Sequence, residues 1–581
     1  MTPPHPRLPL TTLETWVGLI TLSAACSAPL LLAYNQTPSP TFLNQALAIV
    51  LWGWVATLLA WRSDGGSVAG ALARSSTLLA ALLLVGVAAL GSWWFGSLPS
   101  SLALSGAGLV LATMVMVVSG AVARGSDRAV QYFVWFCWGW VAAGVINADI
   151  AFLQVFAPTL PDGDWIAHSG IPGRAVGNIR QPNHLSSLLL WSAIGVVALL
   201  ELRRIGRDVA LGLFAVMITA VMLTASRTGM VSVILLAVWG LVDRRRSGAA
   251  RGILIAAPVI YAAGWGLMAW WAASGAHAFG GTARLAEADI SGSRFAIWSN
   301  TLELIRRQPW TGVGFGEFNF AWTLTPFPQR PIAFFDHTHN LPLQLAVELG
   351  LPLAAAVLTL LCWALWRAWR PAPGVDADAA LTQRCAWMMV AMIGLHSLFE
   401  YPLWYAYFLL PAAWVWGYGL GKFGRTDRPM SVAIAGGVLI VAGALSVFDY
   451  QRVVPIFEAP EGSASLDERV VQGQRSLLFS HHADYAAATS DLDSRSRTKA
   501  FAGATHYLLD SRLMIAWAEA LAEAGRVDEA RHVAERLREF RNPLAKEFLD
   551  ECISTSRGAA SAPFQCQPPA QAHDWLEFAK P

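Results

Sequence analysis

The chain has 581 residues, 55% of them hydrophobic and only 14% charged, with a formal net charge of +2. That is too little polar surface to cover a soluble globule of this size, so the composition excludes one and makes the bilayer the main solvent. No nucleic-acid partner is expected from it.

Apolar runs recur through the first 450 residues, each close to the roughly 20 residues a helix needs to cross about 30 Å of hydrocarbon. About thirteen spans are expected. They run near 11–33, 42–60, 77–96, 102–122, 130–153, 185–200, 209–225, 229–242, 252–273, 343–369, 385–400, 403–421 and 430–447. The first is long and lacks a convincing cleavage site, so it reads as a retained helix rather than a signal peptide. Leu22-Ser23-Ala24-Ala25-Cys26 faintly resembles a lipoprotein box, but the sequence beyond Cys26 stays apolar.

Arginine placement sets the orientation. Every second loop is basic: Arg62 and Arg74; Arg124 and Arg128; Arg203, Arg204 and Arg207; Arg244, Arg245, Arg246 and Arg251; Arg367, Arg370 and Arg384; Lys422, Arg425 and Arg428. The positive-inside rule puts these loops and the N-terminus in the cytoplasm, and an odd number of crossings then puts the tail after about residue 448 outside.

Three stretches on the expected outer side stand out: 154–184, the short turn at 225–229, and 274–342. Chemistry should concentrate there. In the last of them, Ile297, Leu302, Leu304 and Ile305 recur at near-helical spacing, which predicts either an amphipathic helix on the membrane face or a plain packed loop helix.

Residues 448–581 have the composition of a separate soluble helical domain, set against a transmembrane region at 1–447. Ala516, Trp517, Ala520, Leu521, Gly525, Ala530 and Ala534 resemble one tetratricopeptide-like helix pair turning at Ala524-Gly525-Arg526. Cys26, Cys137, Cys362 and Cys385 fall in or beside spans as small apolar residues. Cys552 and Cys566 lie in the tail, where an oxidising compartment would let them pair.

The sharpest polar constellation is Asp336-His337-Thr338-His339-Asn340, just before a long span. Two histidines and a carboxylate there suit acid/base chemistry. The other readings are a histidine satisfied at a helix cap, or a metal site begun by His337 and His339, for which no third ligand set follows.

Arginines on the expected outer side form a second signal: Arg174, Arg180, Arg227, Arg284, Arg294, Arg306, Arg307 and Arg330. The positive-inside bias disfavours them there, so something anionic should compensate some of them. Arg227, in the turn Ser226-Arg227-Thr228-Gly229, offers a guanidinium near membrane depth, and its fork suits phosphate oxygens. For Arg284, Arg306 and Arg330 a headgroup contact or surface ion pair explains the charge.

The block Gly177-Asn178-Ile179-Arg180-Gln181-Pro182-Asn183-His184 places costly polar groups at the start of a span, where the structural alternative is an Asn or Gln that only caps the helix, Asn183 among them. The glycines of Thr311-Gly312-Val313-Gly314-Phe315-Gly316-Glu317 read as turns, because no strand precedes them as a dinucleotide site requires. A transfer reaction outside the cell has no nucleotide sugar to draw on. Its donor must arrive already activated through the membrane, as a polyprenyl-pyrophosphate glycan does.

At these residues the chain resembles the O-antigen ligase and polymerase superfamily, and most closely the PglL-type O-linked protein oligosaccharyltransferases. The ligase motif of His, then Asn, Ser or Gln, two residues, Leu, six residues and Gly is met by His339, Asn340, Leu343 and Gly350. The 180–184 block, Ser226 to Gly229, Gly312 to Phe318 and Glu400-Tyr401-Pro402-Leu403-Trp404-Tyr405 resemble the protein-glycosylating branch.

The resemblance implies an all-α fold with a GT-C-like ligase architecture in the bacterial inner membrane, its site and tail facing the periplasm. It implies en bloc transfer of a glycan from undecaprenyl-pyrophosphate to Ser or Thr hydroxyls of a secreted protein, with type IV pilin as the suggested acceptor. Displacement would be direct and inverting, with no metal and no cofactor. His339, with His337 beside it, would serve the acceptor hydroxyl, Arg227 with Arg180 or Arg294 would hold the pyrophosphate, and Gln181, Tyr401 and Asn340 would position the reactants.

The nearest rivals are an O-antigen ligase acting on lipid A-core and an O-antigen polymerase; the 448–581 tail favours a protein acceptor. A lipid-linked glycan transporter is more remote, because only Asp149 stands out as a charge inside a span.

Overall fold

The computed structural model describes residues 12–62, 67–275, 278–282, 289–328, 330–332, 334–370, 375–422, 429–490, 494–554 and 562–579. Arg284, Arg425 and Arg428 lie outside the described residues. The chain is all-helical, and among the described residues there is no strand.

In chain order the membrane region comprises α1 (Thr12–Leu31), α2 (Phe42–Arg62), α3 (Val68–Trp94), α4 (Ser100–Gly125), α5 (Ala129–Phe156), α6 (Pro182–Glu201), α7 (Arg207–Leu223), α8 (Arg227–Val242) and α9 (Gly248–Ala273). The long loop carries α10 (Asp289–Arg307) and α11 (Phe318–Leu324). Then come α12 (Leu341–Trp369), α13 (Ala377–His396), α14 (Ala406–Leu420) and α15 (Met430–Tyr450).

Each expected span is a helix, and among the described residues nine of them are long and apolar enough to cross a membrane. The protein is a multi-pass membrane protein. The remaining four, α7, α8, α13 and α14, are shorter or less apolar, which is why a count from hydropathy alone drifts.

Lipid is as apolar as leucine, so helices in it associate through close packing rather than hydrophobic burial. Glycine makes that possible here. A Cβ on Gly120 of α4 would run into the Trp414 carbonyl of α14, and one on Gly417 into the Val117 carbonyl of α4. Gly53 of α2 and Gly436 of α15 approach backbone to backbone in the same way. Around these contacts Trp52, Phe136, Trp140, Trp191 and Trp414 form a continuous aromatic core, with Trp140 and Trp191 centroids 4.7 Å apart.

α6 is the central pillar. Its apolar window is 94% buried within the protein, so it has no lipid face and its N-terminal polar residues must be answered by neighbours. At its other end Glu201 approaches Arg246, whose guanidinium lies 4.1 Å from the Trp239 ring, while Asp243 lies 3.3 Å from Arg384. That buried ionic cluster ties α6, α8 and α13 together at the end opposite the histidine motif.

The tail folds as α16 (Leu466–Gly473), α17 (Ser480–Ala488), α18 (Ser494–Ala504), α19 (Ser511–Glu523), α20 (Val527–Phe540) and α21 (Lys546–Ser554). α19 and α20 are the helix pair expected around 516–534, turning at Gly525 with φ +79°. A disulfide joins Cys552 to Cys566.

The expected boundary at 447/448 falls within one core. Ile297, Leu304, Phe318 and Trp322 of the long loop share a buried cluster with Val470, Leu513, Trp517, Val533 and Phe540 of the tail. Arg330 clamps the two: Nε donates to Glu539 Oε2 at 2.9 Å, Nη1 to the Trp322 carbonyl at 2.8 Å, and the guanidinium lies 4.6 Å from the Phe540 ring. Expected as a headgroup contact or surface pair, Arg330 is instead 3% exposed, because the loop it belongs to is covered by the tail. His506 and Glu317, both buried, meet at 2.6 Å, and Leu509 N donates to Asn319 Oδ1 at 2.8 Å.

Candidate functional site

The histidine motif is fixed by its own neighbours before any partner is considered. Asn340 caps α12, its Oδ1 accepting from Leu343 N at 3.0 Å, and its Nδ2 donates to the Leu398 carbonyl at 3.0 Å. Thr338 N donates to Gln344 Oε1 at 2.7 Å, and Trp298 Nε1 donates to the Thr338 carbonyl at 3.0 Å. Between these clamps His339 adopts φ +55°, a left-handed conformation that costs a non-glycine residue about 1–2 kcal/mol. Asn340 therefore acts on the site by holding this backbone.

Gly350, seven residues into the helix after Leu343, explains the end of the motif. It breaks α12 with φ +74°, and a Cβ there would meet Trp310 O and Gly312 N. The loop closes against this break, with Val313 N donating to Val347 O at 2.8 Å and Gly314 N to Glu348 O at 3.0 Å.

Glu400, in the link between α13 and α14, is the centre of the arrangement. Its Oε2 lies 2.8 Å from His339 Nδ1; its Oε1 accepts from Asn183 Nδ2 at 2.9 Å and from Arg294 Nη2. Burial raises the Glu400 carboxyl, but the hydrogen bond and charge of His339, and then Arg294, overcome it and hold the group at about 2. An ionised carboxylate only accepts, so the His339 proton facing it is on Nδ1, which leaves Nε2 as the ring atom that exchanges a proton with a substrate.

Asn183 carries the network across to α8. Its Oδ1 accepts from Ser226 Oγ at 2.6 Å, and Ser226 Oγ in turn accepts from Gly229 N at 2.9 Å, capping α8. Arg227 is the next residue, exposed at the helix N-terminus, where the helix dipole favours an anion. The turn is tight: Ala225 has φ +48°, and Arg174 Nε braces it through the Thr224 carbonyl at 2.7 Å. Arg180, at φ +54°, donates to the Ala33 carbonyl.

His337 lies beside this group, its ring stacked on Tyr401 at 4.5 Å and edge-on to Trp404 at 4.7 Å. Its Nδ1 is 2.8 Å from Asp336 Oδ1 without hydrogen-bond geometry. Tyr401 also contacts the His339 ring at 4.9 Å. Burial first, then Tyr405, Asp336 and Glu400, push the Tyr401 hydroxyl far up, so it is a donor and not a base.

His339, His337, Tyr401, Asn340 and Arg294 thus converge on one patch, joined through Glu400 and Asn183 to the α8 turn that carries Arg227. Further side chains find protein partners, Arg306 in the surface ion pair expected of it. Arg294 is paired with Glu400. Gln181, not Asn183, is the cap of α6, its Oε1 accepting from His184 N at 2.9 Å. Arg306 and Arg307 pair with Glu303 on the exposed side of α10.

Residues 212–358 match the family model described as O-antigen ligase. Residues 385–547 match the C-terminal part of the virulence factor membrane-bound polymerases, and residues 175–200 the protein glycosylation ligases. Over these segments the chain is similar to the O-antigen ligases and the protein glycosylation ligases. It is 26% identical over 343 residues to a general O-oligosaccharyltransferase of Acinetobacter baylyi, covering 56% of this chain and 57% of the relative. A ComP-specific O-oligosaccharyltransferase of the same organism is 25% identical over 283 residues, 47% of each chain. The chain spans about half the length of the curated relatives it matches.

The matched segments divide the site among them: 175–200 contains Asn183, 212–358 contains Arg227, Arg294, His339 and Gly350, and 385–547 contains Glu400 and Tyr401. Glu400 and Asn183 carry the connections that sequence reasoning missed. The signal for Glu400 was an acidic residue at the end of an apolar run, directly before a tyrosine already singled out; for Asn183 it was a carboxamide on a helix with no lipid face.

Proposed function

We propose that this chain is an O-oligosaccharyltransferase that moves a glycan en bloc from undecaprenyl-pyrophosphate to Ser or Thr hydroxyls of secreted proteins, at the periplasmic face of the bacterial inner membrane. The observation that carries the reading is the 2.8 Å contact between His339 Nδ1 and the ionised Glu400, one hydrogen-bonded residue away from the α8 turn bearing Arg227.

In this reading the acceptor hydroxyl oxygen attacks the anomeric carbon while the bond from that carbon to the pyrophosphate oxygen breaks. The hydroxyl proton passes to His339 Nε2, Glu400 stabilises the imidazolium, and the leaving electron pair stays on the pyrophosphate, neutralised by Arg227 and the α8 N-terminus. Tyr401 donates to donor or acceptor, and Arg180 stands at the rim as a second cation. Residues 1–447 form the membrane ligase region. Residues 448–581 form the periplasmic helical part, built onto the long loop, where an acceptor protein such as a type IV pilin is recognised.

The test is mass spectrometry of periplasmic proteins from cells that make a lipid-linked glycan, with wild-type chain, His339→Ala or Arg227→Ala. Glycan-sized mass gains on secreted proteins should appear only with the wild type, at equal abundance of the three chains. Normal transfer by either variant removes that residue from the mechanism, and glycan found instead on lipid A-core would replace the protein acceptor by a lipid one.

A further inference from the structure

Resting on that reading of the site, we infer that Asn183 is a positioning residue that locks the Arg227 turn and the Glu400–His339 pair into one register. Its side chain, on a residue 8% exposed, has both ends engaged by opposite halves of the site. Oδ1 accepts from Ser226 Oγ at 2.6 Å and Nδ2 donates to Glu400 Oε1 at 2.9 Å.

A carboxamide suits this place chemically. One end must accept from a hydroxyl and the other must donate to a carboxylate; an ionised carboxylate has no donor, an apolar side chain has neither, and a hydroxyl carries both on a single atom. Each contact also fixes something that matters further on: Ser226 is the cap of the helix whose first residue is Arg227, and Glu400 sets the tautomer of His339. The spacing between the group that holds the leaving pyrophosphate and the group that takes the acceptor proton is therefore set from α6, through Ser226 and Glu400. Such spacing is worth much, since a displacement of about 1 Å can cost about 100-fold in rate.

The alternative is that Asn183 only satisfies buried groups. Abundance alone cannot separate the two, so the variants break one contact at a time. Asn183→Asp keeps the acceptor for Ser226 but sets a second carboxylate against Glu400. The titratable and charged groups facing Glu400 are His339 and Arg294 from the loop, His396 from α13, His184 from α6, and Tyr401 and Tyr405 from its own link. Like charges in contact raise the proton affinity of the pair, so the acid limb of the transfer rate should move to higher pH. Ser226→Ala removes the other contact, and Ser226→Thr restores the hydroxyl.

The experiment uses the full-length chain in detergent, undecaprenyl-pyrophosphate-linked oligosaccharide as donor, and as acceptor the secreted protein that gains mass in the cell experiment. Asn183→Ala should lower kcat about 10- to 100-fold with KM for the donor changed much less. Asn183→Asp should shift the acid limb, Ser226→Thr should recover most of what Ser226→Ala loses, and the Asn183→Ala, Ser226→Ala pair should be far from additive. Transfer by Asn183→Ala within twofold of wild type, or an Asn183→Asp profile superimposable on wild type, overturns the inference. If His339→Ala also transfers normally, the reading of the site has failed instead.

Discussion

Replacing Glu400 by Gln keeps shape and removes charge, and its consequence can be worked through atom by atom. Oε1 accepts from both Asn183 Nδ2 and Arg294 Nη2, so the amide oxygen must take that place. Turned the other way, the NH2 would face two donors. The NH2 then faces His339 Nδ1, 2.8 Å from the present Oε2, and Nδ1 must accept. The ring proton moves to Nε2, the atom proposed to receive the acceptor's proton.

Losing a positioned general base costs about 10²–10⁴ in rate, which is about 2.7–5.4 kcal/mol of barrier at about 1.36 kcal/mol per decade. The assay is glycan transfer by purified chain at saturating donor, with chain abundance and melting followed in parallel. Glu400→Gln should fall into that range at near-normal abundance. Glu400→Ala should lose abundance as well, because it strands the Arg294 guanidinium and the Asn183 amide. Transfer by Glu400→Gln within threefold of wild type would refute the tautomer argument.

Gly350→Ala forces a left-handed backbone on a residue with a Cβ and drives that Cβ into Trp310 O and Gly312 N. The expected result is a loss of a few kcal/mol of stability and of folded yield in fluorescence-detected chromatography, and wild-type melting would contradict it. Arg330→Ala removes the guanidinium from the Trp322 carbonyl, the Phe540 ring and Glu539, which keeps Arg536 at 3.0 Å, and should cost about 1–3 kcal/mol. Limited proteolysis should then cut residues after 450 several times faster, and unchanged cutting would deny the clamp.

His573 bonds Asp528 at 2.9 Å and Glu577 at 2.7 Å; burial lowers its proton affinity, but the two carboxylates outweigh that and raise it above the usual value. A raised base stabilises fully below its unfolded value near 6.5, and that contribution is lost as pH rises through the folded value. Buried His532, pushed down to about 4, works the other way and loses its contribution as pH falls from about 6.5 toward 4. Hydrogen-exchange protection over 527–554 and 562–579, with the intrinsic pH dependence of amide exchange divided out, should therefore be greatest near the ordinary histidine value, with His573→Asn flattening the alkaline side only; an unaltered alkaline side would exclude the ion pairs.

The sequence by itself determined the all-helical membrane architecture, because twenty apolar residues in lipid can satisfy their backbone only as a helix. It also determined where polar groups are expensive, and so singled out His337, His339, Arg227 and the 180–184 block, while Tyr401 was implied only by the resemblance. The residue that unites them was not legible. Glu400 is 61 residues from His339 and 217 from Asn183, and nothing in a linear pattern says which carboxylate meets which ring. Arg294 and Arg330 look alike in sequence, both outward arginines near the long loop. One faces Glu400 and the other is sealed under the tail, because burial of a charge depends on what folds over it. The division at 447/448 shows the same limit: composition changes there, but the apolar faces on both sides complete each other. Local physics named the elements and the costly residues, and long-range packing decided which of them meet.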